Sequence, residues 1–163
     1  MKYLKFKSHL WMRRTPAEIF PFFTEARNLE TLTPPTLHFV VRTPPPITMQ
    51  VGTLIDYGLR IHGFPFRWRS EITEWEPPYR FVDRQRRGPF RFWSHEHRFE
   101  AWDGGTLVKD IVTYSVLGGR LIDRLFVRAD LKRIFTHREK ILRETFGGAM
   151  TLPTTPPPET SEA

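Results

Sequence analysis

The sequence predicts an α+β fold: a curved, seven-stranded antiparallel sheet wrapped around one long C-terminal helix. Three observations carry this. Apolar residues alternate with polar ones in segment after segment, first at 2–13 and then repeatedly between 37 and 116. The connections between consecutive strands are short, which makes those pairings antiparallel, because a parallel pair needs a long crossover. Residues 120–146 then change to helical spacing, and at ~1.5 Å per residue such a helix is about 40 Å long, enough to cross a domain.

The elements follow in order. Leu4, Phe6, Leu10 and Met12 share one phase of the first strand, with Lys5, Lys7, His9, Trp11 and Arg13 on the other. Thr15-Pro16-Ala17-Glu18 is a capping box with proline at the first helical position, opening a short helix through Ile19, Phe20, Phe22 and Phe23. A second short helix covers Glu25 to Leu32 and is stopped by Thr33-Pro34-Pro35. Strands are expected at Leu37–Arg42, Thr53–Ile61, Phe66–Trp75, Tyr79–Arg86, Phe90–Trp102 and Gly105–Val116. Pro44-Pro45-Pro46, Gly63-Phe64-Pro65, Pro77-Pro78 and Gly88-Pro89 punctuate them, and Asp103-Gly104 is a strong two-residue hairpin signal. After Gly118-Gly119, Val127, Leu131, Ile134, Ile141 and Thr145 recur at helical spacing beside Phe135, Leu142 and Phe146. Gly147-Gly148 ends that helix, so the domain spans 1–148. Residues 149–163 are mostly Pro, Thr, Ser and Glu, without apolar periodicity, and are expected to be a disordered tail.

Composition narrows the function classes. A chain of 163 residues suits one domain and buries roughly two thirds of its unfolded surface. There is no cysteine, hence neither a disulfide framework nor a thiolate metal site. The N-terminus alternates instead of carrying an apolar run, so no signal peptide is expected, and no stretch approaches the ~20 apolar residues of a spanning helix. The expected compartment is the cytoplasm. The net charge of +7 draws a chain toward phosphates, RNA or anionic lipid. Arginine is spread over strands, turns and helix, which predicts weak attraction to a membrane surface and no specific nucleic-acid partner. The 14 Phe and 5 Trp fall inside expected strands, where they read as core or cavity wall. There is no Gly-rich phosphate loop, no Ser or Cys nucleophile motif and no His-Glu-x-x-His, so no cofactor is expected. Nothing in the sequence reports an oligomeric state.

Register turns these patterns into a candidate site. A two-residue loop at Asp103-Gly104 pairs Trp102 with Gly105, which places His97 opposite Asp110, His95 opposite Val112 and Trp93 opposite Tyr114. Phe99 and Val108 share that face, so it should point inward. Directly opposed residues are about 5 Å apart at Cβ, within hydrogen-bonding reach. A three-residue turn at Gly88-Pro89-Phe90 sets Asp83 against His95, with Gln85 and Phe81 in phase. The catalytic candidates are therefore Asp83, His95, His97 and Asp110, with Gln85 and Tyr114 nearby. They admit three readings: a satisfied polar network that sets register, recognition of a ligand's polar group, or acid/base chemistry by a histidine that a carboxylate orients. Two histidines and two aspartates are also a conceivable metal set, although none is assigned. Arg138 falls on the apolar stripe between Ile134 and Ile141; it either snorkels outward or reaches inward to a carboxylate or an anionic head group.

The same order, with Thr15-Pro16-Ala17-Glu18-Ile19-Phe20, Gly88-Pro89-Phe90, Trp93-Ser94-His95-Glu96-His97-Arg98-Phe99, Asp110-Ile111-Val112-Thr113-Tyr114 and Ile134-Phe135-Thr136-His137-Arg138, resembles the START-like superfamily, also called SRPBCC or helix-grip proteins. It looks closest to the bacterial branch labelled cyclase/dehydrase or ligand-binding SRPBCC protein. The resemblance covers about residues 1–146. It implies the helix-grip fold and a cavity between sheet and C-terminal helix. Three functions follow as expectations. The first is binding or carrying a small apolar ligand (a lipid, polyketide-like compound or other hydrophobic metabolite), with Tyr57, Trp68, Ile72, Phe81, Trp93, Phe99 and Tyr114 lining the pocket. The second is a cyclase or dehydratase working through a cavity histidine. The third is a basic surface module for RNA or an anionic membrane.

Overall fold

The computed structural model describes residues 2–147. The tail expected at 149–163 lies outside the described residues. Strand β1 (Leu4–Met12) leads into helices α1 (Pro16–Thr24) and α2 (Asn28–Leu32). Six strands follow: β2 (Val40–Val41), β3 (Leu54–Ile61), β4 (Phe64–Glu76), β5 (Arg80–Arg87), β6 (Phe92–Trp102) and β7 (Gly105–Ser115). Helix α3 (Gly119–Ile122), a π-helical turn (Asp123–Val127) and α4 (Arg128–Phe146) then run on as one long C-terminal helix. The strands form one antiparallel seven-stranded sheet in the order β1-β7-β6-β5-β4-β3-β2. This is the helix-grip architecture.

Local chemistry explains the boundaries. Thr15 accepts from the Glu18 N–H while the Glu18 carboxylate accepts from the Thr15 N–H, completing the capping box of α1. Asp103 and Gly104 both have positive φ, 48° and 70°, the conformation that matches a two-residue hairpin to strand twist. The β3–β4 turn is tighter than the expected Gly63-Phe64-Pro65: His62 and Gly63 alone make it, with φ of 50° and 83°. Phe64 and Pro65 thus join β4 at a stretch that β5 does not reach, where proline costs no ladder bond. Strand β2 is shorter than Leu37–Arg42 because Pro35–Leu37 form a 3-10 turn and His38 is left-handed. Glu25 is extended and ends α1, so α2 starts only at Asn28. A register shift between Ile72 and Glu74 marks a bulge in β4, which bends the strand.

The concave face is filled unevenly. Under α1, Phe20, Phe23, Phe81 and Phe99 pack edge-to-face or stacked, with ring centroids 4.9–6.2 Å apart, and Leu142 of α4 closes the cluster. Helix α4 also meets β1, where Phe135 lies 5.0 Å from Phe6. The convex face has its own packing. Trp11, expected on the polar phase, is buried because its indole covers Gly105 and donates to the Trp102 carbonyl at 2.9 Å. A Cβ on Gly105 would come within 2.8 Å of that indole. At the opposite end of the sheet, beyond the solid core, a cavity of about 460 Å³ remains between β3–β6 and α4.

Candidate functional site

The cavity lies within the roughly 300–1,000 Å³ usual for small-molecule sites. Its walls are mostly apolar: Tyr57, Leu59, Trp68, Phe90 and Trp93 from the sheet side, Leu131, Ile134 and Phe135 from α4. Its mouth runs past Leu117 and Phe126, both exposed, and past His62 at the β3–β4 turn. There His62 Nε2 lies 2.8 Å from the Asp130 carboxylate and its ring packs on Phe126.

The polar residues sit at the inner end, on the boundary with the solid core. The observed register is the one the turns imply: His97 opposite Asp110, His95 opposite Val112, Trp93 opposite Tyr114 and Asp83 opposite His95. The side chains, however, also bond diagonally. His95 Nε2–H donates to Asp110 at 2.8 Å, and His97 Nε2–H donates to Asp83 at 3.2 Å. His97 Nδ1 lies 3.0 Å from Asp110 but off the line of a hydrogen bond. Arg138 reaches inward: Nη2 is 3.6 Å from Asp110, and the guanidinium lies 5.0 Å over the Phe23 ring. Ser70 Oγ accepts from Trp68 Nε1–H and donates to the other oxygen of Asp83. The two imidazoles are 3.8 Å apart, and His97 stacks on Phe81 at 4.1 Å.

Electrostatics divides these groups. Burial alone would raise Asp110, but the Arg138 charge, the bond from His95 and the nearness of His97 hold its carboxyl well below the usual range. Asp83 is treated likewise: burial opposes, while the bond from His97 and the nearby imidazoles lower it. The histidines part company. Burial and the neighbouring His97 charge push His95 down, more than Asp110 pulls it up. His97 has burial against it too, yet lies between two carboxylates, which together push it up. Both carboxyls are thus held toward the ionised form, and the two imidazoles are shifted in opposite directions. Since Nε2 of His95 carries the proton given to Asp110, its Nδ1 is left with a free lone pair. That atom has no hydrogen-bond partner among the described residues, and unlike His97 Nδ1 it is not sealed from the cavity.

Asp83, His95 and His97 offer ligand atoms within 4.8 Å of one another, close enough for a metal ion. Their chemistry favours proton sharing instead. The carboxylates already accept from the two imidazoles, and the Arg138 guanidinium beside Asp110 repels a further cation.

Of the residues singled out in the sequence, Tyr57, Trp68, Asp83, Trp93, His95, His97 and Arg138 line the cavity. Ile72, Phe81 and Phe99 lie in the solid core, and Asp110 stands behind the histidines. Gln85 turns away and clasps the backbone of Phe90. Tyr114 is fully buried and donates to Asp123 at 2.5 Å; burial and that carboxylate raise its phenol. Sequence reasoning missed Ser70, although it shares the inward phase of Trp68 and Ile72, and it missed His62, whose place at the mouth depends on how the β3–β4 turn meets the C-terminal helix.

A sheet gripping a helix, with an apolar cavity between them and a polar inner end, defines the START-like class. The chain belongs to the family described as polyketide cyclase / dehydrase and lipid transport, whose model matches residues 12–138. Among solved structures it is similar to protein Ms6760 from Mycobacterium smegmatis, at 20% identity over 87% of this chain and 92% of that one, TM-score 0.65. It is also similar to Ara h 8.0201, at 18% identity over 88% and 99%, TM-score 0.64. Ginseng major latex-like protein 151 from Panax ginseng shares 11% identity over 88% and 97%, TM-score 0.65. These likenesses establish the fold. No curated protein matches the sequence.

Proposed function

We propose that this protein binds a small, mainly apolar ligand in the cavity between sheet and C-terminal helix, and carries it. The observation that supports this most is the cavity itself: about 460 Å³ walled mostly by aromatic and aliphatic side chains. Its few polar groups sit together at the inner end, so the ligand has an apolar body and one polar tip. A hydroxyl there donates to His95 Nδ1. Arg138, which also lines this end, sets a positive charge beside that tip. A membership shared by lipid transport and polyketide chemistry agrees with such a ligand.

The test uses the dye 1-anilinonaphthalene-8-sulfonate and a variant that fills the space, Ile134→Trp. The wild type should enhance dye fluorescence, and the variant should bind about tenfold more weakly while melting no lower than about 4 °C below wild type. Equal binding by both proteins would place the dye elsewhere and refute the reading. His95 supports a second reading, acid/base catalysis of a cyclase or dehydratase type, because its free nitrogen meets the cavity and its other nitrogen is oriented by Asp110. His95→Gln separates the two: a carrier shows no turnover in the wild type and loses only affinity in the variant, whereas a catalyst keeps affinity and loses turnover.

A further inference from the structure

The cavity mouth carries a surface that ligand binding does not explain. Large apolar side chains are exposed in succession on one short stretch: Leu117 at 64%, Leu121 at 66%, Leu125 at 57% and Phe126 at 48%. Leu121 and Leu125 do not line the cavity, so they neither contact its contents nor pack in the core. Exposed apolar residues scattered singly need no explanation, but a contiguous run does. Across the mouth stands Phe64, 70% exposed and two residues from His62, whose ring meets Phe126.

Charge on the same stretch has one sign. Arg120, Arg124 and Arg128 are exposed and make no ion pair among the described residues. They repeat every four residues and form a row beside Leu121 and Leu125 on the helical surface. The one acid between 117 and 129, Asp123, is buried and committed to Tyr114. Leucines flanked by arginines, on a helical segment lying across the surface, suit the boundary between head groups and acyl chains. The two residues that stand clear of the cavity, Leu121 and Leu125, are aliphatic and give no flat ring for a nucleic-acid base to stack on.

We propose that the lip formed by residues 117–128 docks on an anionic lipid bilayer, with Leu121 and Leu125 entering the acyl boundary and Arg120 and Arg124 at the phosphates. The mouth then faces the bilayer, giving an apolar molecule a route that avoids water. The proposal stands on the exposed lip alone and holds whether or not the cavity ligand is a lipid.

The experiment is co-sedimentation of the full chain with vesicles of phosphatidylcholine, with or without about 30% phosphatidylglycerol to set a negative surface potential. The protein should sediment with the anionic vesicles only. Leu121→Ser/Leu125→Ser should weaken binding by about tenfold or more, since burying one leucine is worth at least that factor. Arg120→Gln/Arg124→Gln should weaken it by roughly 25-fold at low salt, each arginine contributing about a fivefold factor at an anionic leaflet. The chain has no cysteine, so Leu121→Cys and Asp103→Cys each provide one site for an environment-sensitive label. Position 103 lies at the far end of β7, about 35 Å from the lip. The label at 121 should shift to the blue on vesicles and the label at 103 should not. Absence of sedimentation, unchanged binding by the leucine variant, or equal shifts at both positions would overturn the proposal. So would a dimer in solution that the leucine variant abolishes, which would give the face to a second copy.

Discussion

Asp110 is the hub of the buried cluster: two imidazoles and a guanidinium converge on one of its oxygens, at 2.8, 3.0 and 3.6 Å. This arrangement divides two like histidines into unlike ones, because His97 also bonds a second carboxylate, Asp83, whereas His95 bonds only the first. Histidine-resolved NMR titration should show His97 losing its proton above the ordinary value of about 6.5, and His95 gaining one only below it. Asp110→Asn removes the anion that both rings face, so the His97 midpoint should fall. Equal midpoints for the two rings in the wild type would contradict the division. Buried clusters of this kind are sensitive to one-sided change: removing Asp110 leaves Arg138 and His97 with unbalanced charge, whereas losing an exposed pair such as Arg69–Asp56 costs little.

At the scale of elements, the joint between β7 and the C-terminal helix determines where the lip sits. Gly118 caps α3 with φ of 81°, and a Cβ there would come 2.3 Å from Ile122 Cγ1. Gly119 also has positive φ, 59°, but open space around its Cα. Gly119→Ala should therefore cost only the left-handed backbone penalty, about 1–2 kcal/mol, while Gly118→Ala adds a clash within the cavity wall. At about 2–4 °C per kcal/mol for a domain of this size, Gly118→Ala should lower the Tm by several degrees more than Gly119→Ala, measured by circular dichroism. Equal losses would show that the contact with Ile122 is unimportant. The π-helical turn that follows is anchored from the sheet, since Asp123 is held by Tyr114.

For the whole molecule, the cluster makes stability depend on pH with a definite sign. Asp83 and Asp110 titrate lower folded than unfolded, so their stabilisation is present above about pH 4 and is lost as pH falls through their folded values. His95, lowered by folding, favours the fold above about pH 6.5 and loses that contribution as pH falls. His97, raised by folding, acts oppositely: its contribution is complete below about pH 6.5 and disappears as pH rises through its folded value. The histidine contributions therefore oppose each other near neutrality, and the carboxylates dominate in acid. Urea midpoints should change little from about pH 6 to 8 and fall steeply below about pH 4; Asp110→Asn should flatten the acid arm. A wild-type midpoint that rises toward low pH would contradict this assignment of signs.

The sequence alone determined what depends on local chemistry and on a period of two. Alternation in β1 and β3–β7 fixed the strands, Asp103-Gly104 fixed the β6–β7 register, and register brought His97 to Asp110 and Asp83 to His95. The capping box and helical spacing fixed α1 and α4. Tertiary structure decided whatever depends on depth and direction. Register names the neighbour across a strand, but side-chain rotamers chose the diagonal bonds from His95 to Asp110 and from His97 to Asp83. Arg138 could have snorkelled outward; the buried carboxylate drew it in. Ile72, Phe81 and Phe99 have the same inward phase as Trp68 and Trp93, yet the first three fill the core beneath α1 and the last two line the cavity. The reason is physical: a sequence period assigns a side chain to a face of the sheet, and only the packed helices determine which part of that face is covered and which part stays open.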